Sequence, residues 1–154
     1  MLGETQWQWL EEELQKPSAI KIIGSSIQLL SEFTGWESWA NFPNDRKRLF
    51  SLIKKHQVNG VLIISGDTYW GEVSKISSNV DYPLWEVTSS GLTQEWKDVS
   101  PKKHRVGNFI NKVNYGEFLI NWELKDPTIT LQLKDVEGNT FTKHIINLSN
   151  ISHY

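Results

Sequence analysis

A chain of 154 residues is one domain's worth, long enough to bury roughly 70% of the surface its unfolded form exposes, so a core can form without covalent staples. Lys and Arg number 16 against 18 Asp and Glu, a net charge of −2, and the basic block at Asp45-Arg46-Lys47-Arg48 is too short for the phosphate-backbone footprint of a nucleic-acid binder. The absence of Cys excludes disulfides and thiolate metal sites, and no apolar run approaches the ~20 residues of a membrane span.

The start, Met1-Leu2-Gly3-Glu4, lacks the basic and apolar regions of a signal peptide, so the chain as written is expected to stay in the cytoplasm. Eight Trp imply a well-filled aromatic core or exposed anchoring surfaces, with core the expected use. Trp7 and Trp9 stand two apart, and one helical face cannot bury both.

Taken in order, Glu4 to Lys16 reads as a helix: Trp7, Leu10 and Leu14 recur at helical spacing and Pro17 stops it. Ala19 to Ile23 reads as a short strand ending in Gly24-Ser25-Ser26. The segment from Thr34 to Pro43 is too rich in aromatics for a plain linker and must pack. Asn44 is the expected N-cap of a helix over Asp45 to His56, whose apolar face carries Leu49, Leu52 and Ile53. Asn59-Gly60 turns the chain into Val61 to Ile64, four β-prone apolar residues that suit a strand buried on both faces. That strand stops at Ser65-Gly66-Asp67. In open α/β sheets ligands gather beyond the carboxyl ends of strands, which makes Asp67 the best-placed polar residue of the chain.

The polar stretch Ser74 to Asp81 leads to a third strand, Leu84 to Thr88, closed by Ser89-Ser90-Gly91. Gln94 to Asn114, with Pro101 and Lys102-Lys103-His104-Arg105, reads as a surface loop. From Gly116 onward the pattern is all β: Phe118 to Leu124, Thr128 to Lys134, a Glu137-Gly138-Asn139 turn, and Thr140 to Leu148. Ile129, Leu131 and Leu133 alternate with Thr128, Thr130, Gln132 and Lys134, which buries one face of the hairpin. The whole predicts a single layered α/β domain over residues 1–154, with helices packed on a mixed β-sheet.

Several spaced motifs fall in register with one family. Leu2-Gly3-Glu4-Thr5-Gln6-Trp7, Ser25-Ser26-Ile27-Gln28, Trp36-Glu37-Ser38-Trp39 with Phe42-Pro43, Ser65-Gly66-Asp67, Thr88-Ser89-Ser90-Gly91 and Asn114-Tyr115-Gly116 resemble the alkaline phosphatase D, or PhoD-like, phosphatases. The resemblance implies a calcineurin-like metallophosphoesterase sandwich, of which this chain covers the C-terminal half of the catalytic domain. It also implies a metal centre at the strand ends, holding Ca, Fe, Zn or Mn, that hydrolyses phosphate mono- or diesters. Such metals polarise the phosphoryl oxygen and lower the pKa of a bound water.

Two departures bear on activity. The family's N-terminal ligand segments lie outside this sequence, and its Gly-Asp-x-His motif reads Gly66-Asp67-Thr68-Tyr69, with Glu72 in the following acidic place. Neutral imidazole is a ready metal ligand, whereas a phenol binds well only when a strongly acidic metal removes its proton. The candidate catalytic residues are therefore Asp67 and Tyr69, with Asp67 the first metal ligand candidate, and Ser25, Gln28 and Ser90 the candidates for phosphate contact. The alternative for Asp67 is a carboxylate accepting backbone N–H bonds at its turn. Glu37 suits either a loop tie or a catalytic role, and His56, His104, His144 and His153 show no ligand spacing.

These readings predict a fragment or subunit of a metal-dependent phosphoric ester hydrolase that is inactive and metal-free alone. The alternative is a non-catalytic half-fold module. Either way, half of a two-sheet sandwich should leave apolar surface for the missing N-terminal half, or for a second copy in a homo-oligomer. A third reading treats Trp36, Trp39 and Trp70 as an exposed platform for a ring-bearing ligand. No membrane or nucleic-acid partner is expected.

Overall fold

The computed structural model describes residues 1–33, 35–77 and 80–153. Among these residues two α-helices and eight strands follow one another as α1 (Glu4–Gln15), β1 (Lys21–Gly24), α2 (Pro43–Lys55), β2 (Val61–Ser65), β3 (Gly71–Ile76), β4 (Leu84–Ser89), β5 (Arg105–Ile110), β6 (Asn114–Asn121), β7 (Thr128–Asp135) and β8 (Thr140–Asn147), with short 3-10 turns at Trp39–Asn41 and Leu148–Ile151. The first five strands form one sheet in the order β1-β2-β4-β3-β5, and the last three form a second, β6-β7-β8. In the first sheet β1, β2 and β4 are parallel while β3 and β5 run antiparallel to their neighbours.

Alternation along the strands gives the first sheet two different faces. On one, Ile63 and Val61 meet the helices, whose Trp7, Leu14, Leu49, Phe50 and Ile53 join the same core. Trp7 stands edge-on to Trp39 at 6.4 Å, and Trp9, two residues on, is 53% exposed, as their spacing requires. On the other face Val87 and Gly71 meet the second sheet: a Cβ on Gly116 would lie 3.0 Å from Val87, and one on Gly71 would lie 3.2 Å from Leu133. Ile129, Leu131 and Leu133 are fully buried as expected, but Gln132, expected on the wet face, is only 5% exposed, its amide donating to Glu117 on β6.

The second sheet stops short of β1 and β2. Ile22, opposite Leu62, and Ile64, opposite Val87, belong to the covered face by register but remain 52% and 44% exposed.

Four boundary readings are corrected. Phe42, not Asn44, is the N-cap of α2, because Pro43 takes the first helical position, where its missing N–H costs nothing and its fixed φ suits the helix. The stretch after Glu72 is not simply a polar connection: β3 runs to Ile76 and buries Glu72 and Ser74 between strands. The expected surface loop Gln94 to Asn114 contains β5, which pairs with β3, so Arg105, the last residue of the basic cluster, opens a sheet strand. Finally, β6 begins at Asn114, four residues before the expected start, because Gly116 lets the backbone approach Val87 and Ser89.

Candidate functional site

Parallel pairing puts the carboxyl ends of β1, β2 and β4 on a common edge, and the three small polar endings converge there. A Cβ on Gly66 would sit 3.4 Å from the Ser90 Cβ and 3.7 Å from the Ser26 carbonyl oxygen. The loop leaving β2 is tightly wound: Asp67 and Tyr69 both take left-handed backbone angles, φ +66° and +61°. Non-glycine residues rarely adopt these, and such strain persists only where the surroundings hold it. What holds it is Ser90, whose hydroxyl oxygen accepts the Thr68 and Tyr69 backbone N–H groups, each at 2.9 Å.

Asp67 is exposed, and among the described residues its carboxylate has no hydrogen-bond partner. The turn is thus tied by Ser90 rather than by the Asp67 carboxylate, which is left free at the edge. Tyr69 is 40% exposed and stacks on Trp96, centroids 6.1 Å apart, while Trp96 meets Trp36 edge-on at 5.9 Å. These rings, with Phe33, Glu37 and Asp67, wall a cavity of about 50 Å³. The expected platform of Trp36, Trp39 and Trp70 is replaced by Trp36, Trp96 and Tyr69, because Trp39 and Trp70 are both core residues at 4% and 3% exposure. The buried Trp70 Nε1 has no hydrogen-bond partner among the described residues.

Beneath this edge lies a buried polar network. Glu72 is fully buried, and three donors meet its carboxylate: Gln28 Nε2 at 2.6 Å, Arg105 Nε at 2.5 Å and Lys102 Nζ at 3.3 Å. Gln28 also donates to Thr88 Oγ1 at 3.0 Å and accepts from Lys102. Lys102 Nζ stands 5.0 Å over the Trp70 ring, and burial, the largest influence, pushes its ammonium below the usual lysine range while Glu72 pulls it back. Glu86, also fully buried, accepts the Leu29 and Leu30 N–H groups at 2.7 and 2.8 Å. Burial raises its carboxyl above the ordinary range against the pull of those bonds.

The candidates for phosphate contact are therefore placed as follows. Gln28 is 2% exposed with its amide engaged in this network; Ser25 Oγ donates to the Ile27 carbonyl and accepts from Trp39 Nε1; Ser90 ties the β2 loop. Glu37 lines the aromatic cavity beside Asp67. Sequence reasoning missed Glu86, Lys102, Arg105 and Trp96. A charge inside the apolar run Leu84-Trp85-Glu86-Val87 was a legible signal for Glu86, whereas nothing local marks Lys102 and Arg105 as buried.

Donor chemistry can be tested against the metal implied by the family. Among the described residues no group of three or more His, Cys, Asp or Glu is placed to hold a metal ion. Asp67 offers one free carboxylate, and the Tyr69 phenol lies against Trp96. The side chains of the described residues do not by themselves fit a metal centre.

Comparison with known proteins agrees with the architecture. No curated protein matches the chain. The structure of PhoD is similar with a TM-score of 0.61 at 14% identity, over 94% of this chain and 35% of that one, so this chain spans about a third of the solved structure it matches. Among the described residues no helix is long and apolar enough to cross a membrane. Residues 1–121, from α1 to the end of β6, match the model of the PhoD-like phosphatases, and the chain belongs to that family.

Proposed function

We propose that the chain contributes one edge of a calcineurin-like, metal-dependent phosphoric ester hydrolase, and that it is inactive until further polypeptide brings the remaining metal ligands to Asp67. The observation that carries this reading is the free Asp67 carboxylate, held by a strained loop at the common end of three parallel strands, where among the described residues no group of three or more His, Cys, Asp or Glu is placed to hold a metal ion. A carboxylate left unpaired at such an edge costs little only because it is solvated, and it is available to a cation delivered from across the edge. The test is a phosphate monoester and diester assay with metal titration on the chain alone and on the chain joined to an N-terminal half of a PhoD-like phosphatase. The expected result is no turnover alone, and turnover in the joined form that Asp67→Asn abolishes. Turnover by the chain alone, or a joined form that stays inactive even with Tyr69→His, overturns the reading.

The stacking of Tyr69 on Trp96 favours a second reading, a non-catalytic half-fold module, because a ring packed in this way is a structural element rather than a ligand. Metal affinity distinguishes the two: in the module, Tyr69→His in the joined form leaves metal binding unchanged.

A further inference from the structure

The edge of the first sheet bears on how further polypeptide reaches the chain, an inference that rests on the proposal above. β1 is the terminal strand, paired with β2 on one side only. Lys21 N–H donates to the Gly60 carbonyl and Ser25 N–H to the Ile64 carbonyl, each at 2.9 Å. In a parallel ladder alternate residues bond the same neighbour, so the N–H and C=O groups of Ile22 and Gly24 point away from β2, to an edge where no strand lies among the described residues.

An unpaired edge is a template for another strand, and natural proteins blunt such edges with charges, proline, bulges or a covering element. Of β1, Lys21 carries a charge, but its ammonium is drawn back to the Glu13 and Lys16 carbonyls, and Ile22-Ile23-Gly24 carries none of the first three. Two grooves flank it instead, and Ile22, Gly24, Ser25 and Ser26 line both. One, of about 720 Å³, runs over Ile64, Leu92 and Phe118; the other, of about 530 Å³, runs along α1 past Trp9 and Leu10. Ile22, Ile64 and Trp9 are each close to half exposed. A strand laid on β1 would place alternate side chains into these two grooves, with main-chain bonds for affinity and the grooves for selectivity.

We propose that β1 is a docking edge for an extended polypeptide strand from the remainder of a PhoD-type fold, which adds to the sheet beside Ile22 and Gly24 and seats apolar side chains in both grooves. The occupant follows from length: the match covers 94% of this chain but 35% of the PhoD structure, so most of that structure lies outside the match. A second copy of this chain would leave the same portion of the fold missing.

The test is residue-resolved amide exchange of the chain with and without the portion of PhoD that lies outside the match, added as a separate polypeptide, together with sedimentation over a range of concentrations. The expected result is fast exchange at Ile22 and Gly24 in the chain alone, slowed by about tenfold or more on adding that polypeptide, while Ile23 is slow throughout. Ile22→Lys, at an exposed position, should keep the fold by circular dichroism and lose the slowing. Amides that stay fast with the polypeptide, or that are protected by self-association without it, overturn the proposal. Protection with no hydrolysis leaves the docking edge standing and sinks the hydrolase reading; hydrolysis with unprotected amides does the reverse.

Discussion

Glu72→Gln isolates the buried network below the candidate site. The substitution keeps the shape of the side chain and removes its charge, leaving Lys102 and Arg105, 3% and 12% exposed, without their shared counter-ion. It also turns an amide NH2 toward groups that are all donors, Gln28, Arg105 and Lys102. Breaking a buried pair by removing one partner costs about 3–5 kcal/mol, against a total stability of roughly 8–20 kcal/mol for a chain of this length. The melting temperature should fall by roughly 6–20 °C.

The pH dependence adds a signature that a packing defect lacks. Burial lowers the Lys102 pKa in the folded chain, so the contribution of the neutral amine is present above the unfolded value of about 10.4 and lost as pH falls through the lowered folded value. Without Glu72 the folded value drops further and that window widens. Urea denaturation at neutral and at mildly alkaline pH, followed by Trp fluorescence, should therefore show the deficit of Glu72→Gln shrinking as pH rises. A deficit below about 1 kcal/mol, or one independent of pH, refutes the network as the element that fixes this layer.

Three further outcomes are expected. Ser90→Ala removes the acceptor of two backbone N–H groups and should cost about 1–2 kcal/mol by denaturation while raising amide exchange at Thr68 and Tyr69; Ser90→Thr, which keeps the oxygen, should restore most of it. Gly60→Ala places a Cβ 2.0 Å from the Ala19 carbonyl oxygen at φ +69°, so it should destabilise by about 2–3 kcal/mol by the same measurement, and a neutral result would show that the β1 to β2 connection yields easily. Trp96→Ala removes the ring stacked on Tyr69 and should strip near-ultraviolet circular dichroism at a cost of about 0.5–1.5 kcal/mol; an unchanged spectrum would contradict the stack.

Local chemistry determined much of this protein. Helical spacing with Pro17 set α1, the four apolar residues from Val61 set β2, and the alternating apolar residues Ile129, Leu131 and Leu133 set β7. The motif register identified the PhoD-like family, and the three small polar strand endings pointed to a common edge. These are signals of one periodicity or one loop, legible wherever neighbours in sequence decide the outcome.

Only tertiary structure decided the rest. Lys102 and Arg105 lie in a basic, proline-broken segment that reads as solvated, and they are buried because Glu72, some 30 residues earlier in the chain, supplies their charge complement. Tyr69 reads as a misplaced ligand, yet its ring finds Trp96 in a loop whose path no periodicity predicts. The strain at Asp67 and Tyr69 is stable because a hydroxyl from the loop after β4 holds it, and β1 reads like β2 in sequence although one is a free edge and the other an interior strand. Strand order and buried ion pairing are set by contacts distant in sequence, and a one-dimensional pattern records the polarity of a residue but not which partner cancels it.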